Sequence, residues 1–208
     1  MNARYVVSGT DTGVGKTVFA AALAGALDAS YWKPIQCGLD GGGDRATVQK
    51  LSGLAPDRIL PEAYRLAMPA SPHIAARVEG IAIDESRLVP PAVAGPLVIE
   101  GAGGLMVPIT DNLLQIDLYA RWQIPAILVA RTALGTINHS LLSIEALQRR
   151  DVPIAGIAFV GDENTAVEAT ITRIGGVKRL GRLAPLAVLD QSSVATAFAD
   201  GFSLEDFK

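Results

Sequence analysis

The chain has 208 residues, half of them hydrophobic, with few aromatics and a net charge of −3. That length and composition suit one domain with a sizeable core, and they exclude a small disulfide scaffold or a disordered chain. The mild acidity and the lack of a Lys/Arg run exclude a general nucleic-acid surface.

The first predicted strand is Arg4–Gly9, built on the apolar run Tyr5-Val6-Val7. It begins too early to leave room for a signal peptide. Gly9-Thr10-Asp11-Thr12-Gly13-Val14-Gly15-Lys16-Thr17 follows, opening a predicted helix over Lys16–Leu27. Strand, glycine loop and helix in that order make a phosphate cradle, a P-loop. Backbone N–H groups line the loop, and the helix N-terminus adds partial positive charge. Thr12, Gly13, Val14 and Gly15 supply the loop, Lys16 reaches terminal phosphates, and the Thr17 hydroxyl is placed for Mg²⁺. The strict motif wants glycine at position 10, where this chain has threonine. The loop is therefore one residue longer than usual.

The next strand is predicted over Ser30–Ile35 and carries Lys33-Pro34. Pro34 holds Lys33 in an extended backbone. A lysine there can neutralise a phosphate or carboxylate, or simply be a solvated strand-end residue. Gly38-Leu39-Asp40-Gly41-Gly42-Gly43 reads as a loop before a helix over Arg45–Leu51. Asp44 is open to two roles there, N-cap or Mg²⁺ ligand. Short helices are predicted over His73–Glu79 and Leu114–Trp122, with a Pro- and Ala-rich connector at Val89–Ala92 between them. A strand over Pro96–Glu100 ends on a carboxylate that enters Gly101-Ala102-Gly103-Gly104. Burying that carboxylate requires a cation, hydrogen bonds or a metal. Thr17, Asp44 and Glu100 together make a plausible oxygen shell for Mg²⁺, the alternative for Glu100 being a lysine salt bridge.

Further strands are predicted over Ala126–Ala130, Ile154–Val160 and Arg179–Leu183, and helices over Ile137–Arg149, Ala166–Ile174 and Ser192–Ala199. Leu141, Leu142, Ile144, Ala146 and Leu147 form an apolar stripe for core or subunit packing. Thr136 is a candidate cap for the Ile137–Arg149 helix, whose N-terminus either is merely capped or holds a carboxylate. Near-continuous Val/Ile/Leu strands alternating with helices imply a doubly wound, mostly parallel α/β sheet with helices on both faces, in one domain over 1–208. Ligands in such sheets bind beyond the carboxyl ends of the strands.

Cys37 is the single cysteine, so no intrachain disulfide forms and a reducing, cytoplasmic location is expected. No apolar run approaches the ~20 residues of a membrane helix. Cys37, His73 and His139 make neither a nucleophilic triad nor a convincing zinc site.

These motifs, with Ser71-Pro72-His73 and Gly135-Thr136-Ile137-Asn138-His139, resemble the dethiobiotin synthetase family over most of the chain. The long glycine loop is usual there. The resemblance implies ATP- and Mg²⁺-dependent conversion of 7,8-diaminopelargonate and CO₂ into dethiobiotin, ADP and phosphate, through a carbamate and a carbamic–phosphoric anhydride. It implies that Lys16 holds phosphates, Lys33 holds the carbamate and γ-phosphate, and Thr17, Asp44 and Glu100 bind the metal. Thr12, Lys33, Cys37 and Glu100 would lie near the diamine, with Cys37 standing where similar proteins often carry a hydroxyl. It also implies a homodimer with the active site at the interface, Gly135, Thr136, Ile137 and Asn138 of one subunit holding the substrate carboxylate of the other. Where relatives often carry Asn for adenine, this chain reads Gly161-Asp162-Glu163. Asp162 and Pro185 are the base-binding candidates, with relaxed nucleotide preference expected. The competing reading, a partitioning-type ATPase switch, usually has an extra lysine early in the loop; here Thr10, Asp11 and Thr12 stand there.

Overall fold

The computed structural model describes residues 3–207. Six parallel strands form the main sheet, in the spatial order β2 (Ser30–Trp32), β5 (Leu97–Gly104), β1 (Arg4–Gly9), β6 (Ala126–Arg131), β7 (Ile154–Val160) and β8 (Arg179–Leu183). From β1 the chain goes to the edge at β2, returns to β5 beside β1, and then crosses to β6, β7 and β8 on the other side, so the expected doubly wound sheet is present.

Both faces of the sheet are covered, which explains the unbroken apolar strands. Val6 and Val7, neighbours on β1, are both fully buried but in different cores. Val7 packs with α1 (Lys16–Ala26), α2 (Gly43–Ser52) and α7 (Gln191–Gly201), through Phe19, Val48 and Phe198. Val6 packs on the opposite face with α3 (Pro72–Val78) and α4 (Gln115–Trp122), through Ala75 and Tyr119. A third cluster seats α5 (Thr136–Gln148) and α6 (Thr165–Gly175) against β6 and β7, through Ile144 and Ile171.

The predicted strand Ser30–Ile35 is two strands. β2 ends at Trp32, and β3 (Ile35–Cys37) pairs in parallel with β4 (Tyr64–Leu66) in a second, two-stranded sheet. Pro34 has no N–H to give to a ladder. Its carbonyl instead accepts from the N–H groups of Ala63 at 2.9 Å and Tyr64 at 3.1 Å, which turns the chain out of the main sheet. β4 is too short and too polar at Arg65 to stand out in the sequence. The strand expected to end at Glu100 runs on to Gly104.

Two helix starts differ from expectation. Gly42, not Asp44, caps α2, and the Asp44 N–H donates to Oε1 of Gln36 at 3.0 Å. The loop before it closes as a 3₁₀ turn over Asp40–Gly42. Gly135 caps α5 at φ 91°, a left-handed backbone that glycine adopts without strain. Thr136 lies inside the helix, buried, with its hydroxyl 3.4 Å from that of Ser140. In the apolar stripe, Ile144 and Leu147 are core, whereas Leu142 is exposed. The other helices begin and end within two residues of expectation, α6 and α7 on the side-chain caps Asn164 and Asp190. Among the described residues, no helix is long and apolar enough to cross a membrane.

Candidate active site

The loop after β1 wraps the start of α1, with Gly15 as its N-cap at φ 95°. A Cβ on Gly15 would stand 2.9 Å from Cγ1 of Val160, so glycine is required for space as well as for backbone angle. That contact also sets the end of β7 beside the phosphate loop. Lys16 is buried, and its ammonium donates to the Asp11 carbonyl at 2.8 Å. Burial lowers its pKa, partly offset by Glu100. An ammonium that holds one carbonyl and little else is ready to exchange it for a phosphate oxygen.

Beside the loop lies a cleft of about 680 Å³ at the carboxyl ends of β1, β3 and β5. Its walls bring together Thr12, Gly13, Gly15, Lys16, Thr17, Lys33, Cys37, Asp44 and Glu100. The tertiary fold thus gathers residues from four separate stretches of the sequence.

Glu100 is the hub of this cleft and is wholly buried. Its Oε1 accepts from the Thr17 hydroxyl at 2.8 Å and the Lys33 ammonium at 3.2 Å. Its Oε2 accepts from the Tyr31 hydroxyl at 2.8 Å. Three donors make the buried carboxylate tolerable, where one left bare would cost several kcal/mol, on the order of 3–5. Lys33 is itself only 4% exposed, and Asp44 contacts its ammonium at 2.5 Å. Burial pulls the Lys33 pKa down, but Glu100 and Asp44 outweigh it and hold it above the ordinary lysine value. Lys33 is therefore a fixed cation, not a solvated strand end.

The arrangement can neutralise anions with two ammonium groups, Lys16 on the loop and Lys33 just past β2, both lining the cleft. Thr17, Asp44 and Glu100 offer only oxygen donors, the set that Mg²⁺ selects. Asp44 and Glu100 already pair with one cation, the Lys33 ammonium, and Thr17 donates to Glu100, so the three oxygen groups lie together beside a positive charge.

A family model described as an AAA domain matches residues 3–193. The ATP-dependent dethiobiotin synthetase BioD of Afipia carboxidovorans is 62% identical over 208 residues, which cover 100% of this chain and 99% of that relative. The same-named protein of Nitrobacter hamburgensis is 60% identical over 207 residues, covering 100% and 98%. The chain belongs to the ATP-dependent dethiobiotin synthetase family. The MinC:MinD cell division protein complex of Aquifex aeolicus shares the fold, at a TM-score of 0.51 and 14% identity, over 94% of this chain and 86% of that one.

Several groups that shape this dethiobiotin synthetase-family cleft escape a reading of the sequence. Tyr31 is one; it lies two residues before Lys33 on an extended segment and so shares its face. Burial and the Glu100 charge push its pKa well up, so its hydroxyl stays a donor. Gln36 is another. Its amide donates to the carbonyls of Cys37 and Gly38 while its Oε1 accepts from Asp44 N–H, which ties β3 to the start of α2. Tyr119 packs against Gly101, where a Cβ would overlap its hydroxyl. Its hydroxyl accepts from the Gln115 amide at 2.7 Å, and burial raises its pKa to about 12. Ser71 and Pro72 line the cleft, whereas His73 turns away to a small hollow with Arg77 and Asp111. Cys37 is half-buried at the rim, and desolvation pushes its thiol up to about 11.

The remaining candidates lie outside this cleft. Pro185 lines a second cavity of about 540 Å³ between β8 and α7, together with Arg182, Leu186 and Ser193. Asp162 is exposed just past β7. Gly135 and Asn138 are exposed at the start of α5, Ile137 is partly buried against the third core cluster, and Leu134 beside them is fully exposed. None of residues 134–138 lines the cleft of its own chain.

Proposed function

We propose that this chain is an ATP-dependent ligase that makes dethiobiotin, ADP and phosphate from 7,8-diaminopelargonate, CO₂ and ATP in biotin biosynthesis. Membership of the family and the name its relatives carry support the reaction. The observation that carries it to the residues is Lys33, a buried cation held between Glu100 and Asp44, facing the same cleft as Lys16 and Thr17.

An amine of the substrate adds to CO₂ and loses a proton, giving a carbamate. A carbamate oxygen takes the γ-phosphoryl group, and ADP leaves. The second amine then attacks the carbamoyl carbon, phosphate departs, and the cyclic urea closes. The difficulty is bringing an anionic carbamate against an anionic triphosphate. Lys16 answers it on the phosphate side by exchanging the Asp11 carbonyl for phosphate oxygens. Lys33 answers it on the carbamate side and stays protonated because Glu100 and Asp44 hold its charge. Ring closure is intramolecular, so no nucleophile from the chain is needed. Thr17, Asp44 and Glu100 would hold Mg²⁺, which supplies charge neutralisation to the triphosphate. Thr12 and Cys37 border the place left for the diamine.

The substrate carboxylate would be held by Gly135, Thr136, Ile137 and Asn138 of a second copy. The exposure of Gly135 and Asn138 around the free start of α5, next to fully exposed Leu134, supports an interface there. The base would rest in the cavity lined by Pro185, with Asp162 replacing the usual amide and relaxing the choice between ATP, GTP and CTP. The whole chain, 1–208, would act as one nucleotide-binding unit in the cytoplasm.

The test is ADP release by purified protein with MgATP and bicarbonate, with and without 7,8-diaminopelargonate. Diamine-dependent release matched by dethiobiotin is the expected result. Release indifferent to the diamine would overturn the assignment. Parallel runs with GTP and CTP test base choice, and activity confined to ATP would remove the role given to Asp162.

A further inference from the structure

Beyond the second cavity's far wall lies a buried charge cluster that the phosphate chemistry does not use. Glu168 on α6 is 1% exposed and is not among the residues that line the phosphate cleft. Its Oε2 accepts from Nε of Arg179 at 2.7 Å. Its Oε1 has no hydrogen bond and stands 3.7 Å from Nε of Arg182. Arg182 lines the same cavity as Pro185. Its Nη1 donates to the Gly161 carbonyl at 3.0 Å, and Nη2 lies 3.9 Å from Glu163.

Gly161 is thus tied to β8 through both halves of its backbone. Its N–H donates to the Leu183 carbonyl at 3.0 Å, and its carbonyl accepts from Arg182. It needs this restraint, because at φ 130° it has left the extended strand geometry of β7. The residue before it, Val160, touches the phosphate loop at Gly15. The residues after it are Asp162 and Glu163.

We propose that Arg182, seated by the buried Glu168 carboxylate, is a positioning residue for nucleobase binding. It locks segment 161–163 against β8, so that Asp162 and the Pro185 loop keep a fixed spacing around the base. A guanidinium suits the task because one planar group can serve a carbonyl and two carboxylates at once. The proposal rests on the reading that the base occupies the Pro185 cavity.

The test compares binding of ATP with binding of inorganic tripolyphosphate, which has the phosphates but no base. Arg182→Ala should weaken ATP by about tenfold, the effect of losing its hydrogen bond to the Gly161 carbonyl, and Glu168→Gln, which removes the charge 3.7 Å from Nε of Arg182, should weaken it in the same direction by less. Tripolyphosphate binding should not change. Arg182→Lys keeps a cation beside Glu168 and so protects the fold, but one ammonium cannot span Gly161 and both carboxylates; it should show the same ATP-specific loss. Ala187→Trp, on the exposed cavity wall, tests the underlying reading by filling the space for the base. If Ala187→Trp weakens ATP while the Arg182 and Glu168 variants bind it normally, the positioning role is wrong and the base site stands. If Ala187→Trp leaves ATP binding intact, the base lies elsewhere and both fail. Equal loss of ATP and tripolyphosphate in Arg182→Lys would mean a merely structural role and would also overturn the proposal.

Discussion

The Tyr31 hydroxyl donates to Oε2 of Glu100 at 2.8 Å, in a site where neither residue is open to water. That bond leaves Oε1 to Thr17 and Lys33 and sets the plane of the carboxylate. Tyr31→Phe removes the donor but almost no volume. Stability should fall by about 1–3 kcal/mol, the cost of a buried acceptor left short of a partner. Urea denaturation of the two proteins checks this, and an unchanged midpoint would show that water replaces the hydroxyl.

Lys16 and Lys33 should fail differently. Lys16→Ala removes a group whose hydrogen bond is to one loop carbonyl, so the fold should survive while turnover drops by roughly 10²–10³. Lys33→Ala should cost similar activity and also about 3–5 kcal/mol of stability, because Glu100 stays buried without its cation. Steady-state kinetics beside denaturation curves separates the two cases.

The raised pKa of Lys33 has a stability consequence in alkali. A group whose folded pKa lies above its unfolded value stabilises fully below the unfolded pKa, and that contribution fades as pH climbs through the folded one. Lys33 should therefore stabilise steadily from neutral pH to the ordinary lysine value, roughly 10.4, and lose its contribution only above it. The stability difference between wild type and Lys33→Met, followed by denaturation across pH 6 to pH 11, should stay flat over most of that range and shrink at its top. A difference that shrinks below about pH 9 would contradict the direction of the shift.

Cys37 should behave as a poor nucleophile. With its pKa pushed to about 11 by burial, little thiolate exists at neutral pH. Alkylation by iodoacetamide should be slow at pH 7.5 and keep accelerating past pH 9, where an ordinary thiol levels off. Cys37→Ser should leave most of the activity, and a complete loss would reveal a role for sulfur.

The proposed shared active site predicts complementation between damaged chains. Lys33→Ala and Asn138→Ala proteins should each be weakly active. Unfolded together and refolded, they should form hybrids in which one of two sites has both Lys33 and Asn138. Recovered activity in the mixture is the expected result. A mixture no more active than its parts would place residues 135–138 outside the site.

Much of the fold was legible because its signals are local. The glycine loop between Tyr5-Val6-Val7 and an Ala-rich helix announces a phosphate cradle, since backbone angles and N–H geometry depend on neighbours in the chain. The apolar runs of β1, β6 and β7 announce a sheet buried on both faces. Elsewhere, short-range patterns compete with contacts made at a distance. Ser30–Ile35 reads as one strand because Tyr31, Trp32 and Ile35 favour extended backbone, yet Pro34 diverts it toward Ala63 and Tyr64. Asp44 and Thr136 looked like caps because their types favour capping, yet glycines one or two positions earlier take the left-handed backbone.

Local sequence was enough for the phosphate loop, for the alternation of strands and helices, and for singling out Lys33 and Glu100 as charged residues beside apolar strands. The packing of distant segments makes these two a buried pair with Asp44 and Tyr31, sets Gln36 to anchor the start of α2, and brings Arg182 onto Gly161. The reason is physical. A loop's conformation is set by residues next to one another, whereas a buried charge is tolerable only where the packing of separate elements delivers its partners, and such partners lie 67 residues apart for Lys33 and Glu100.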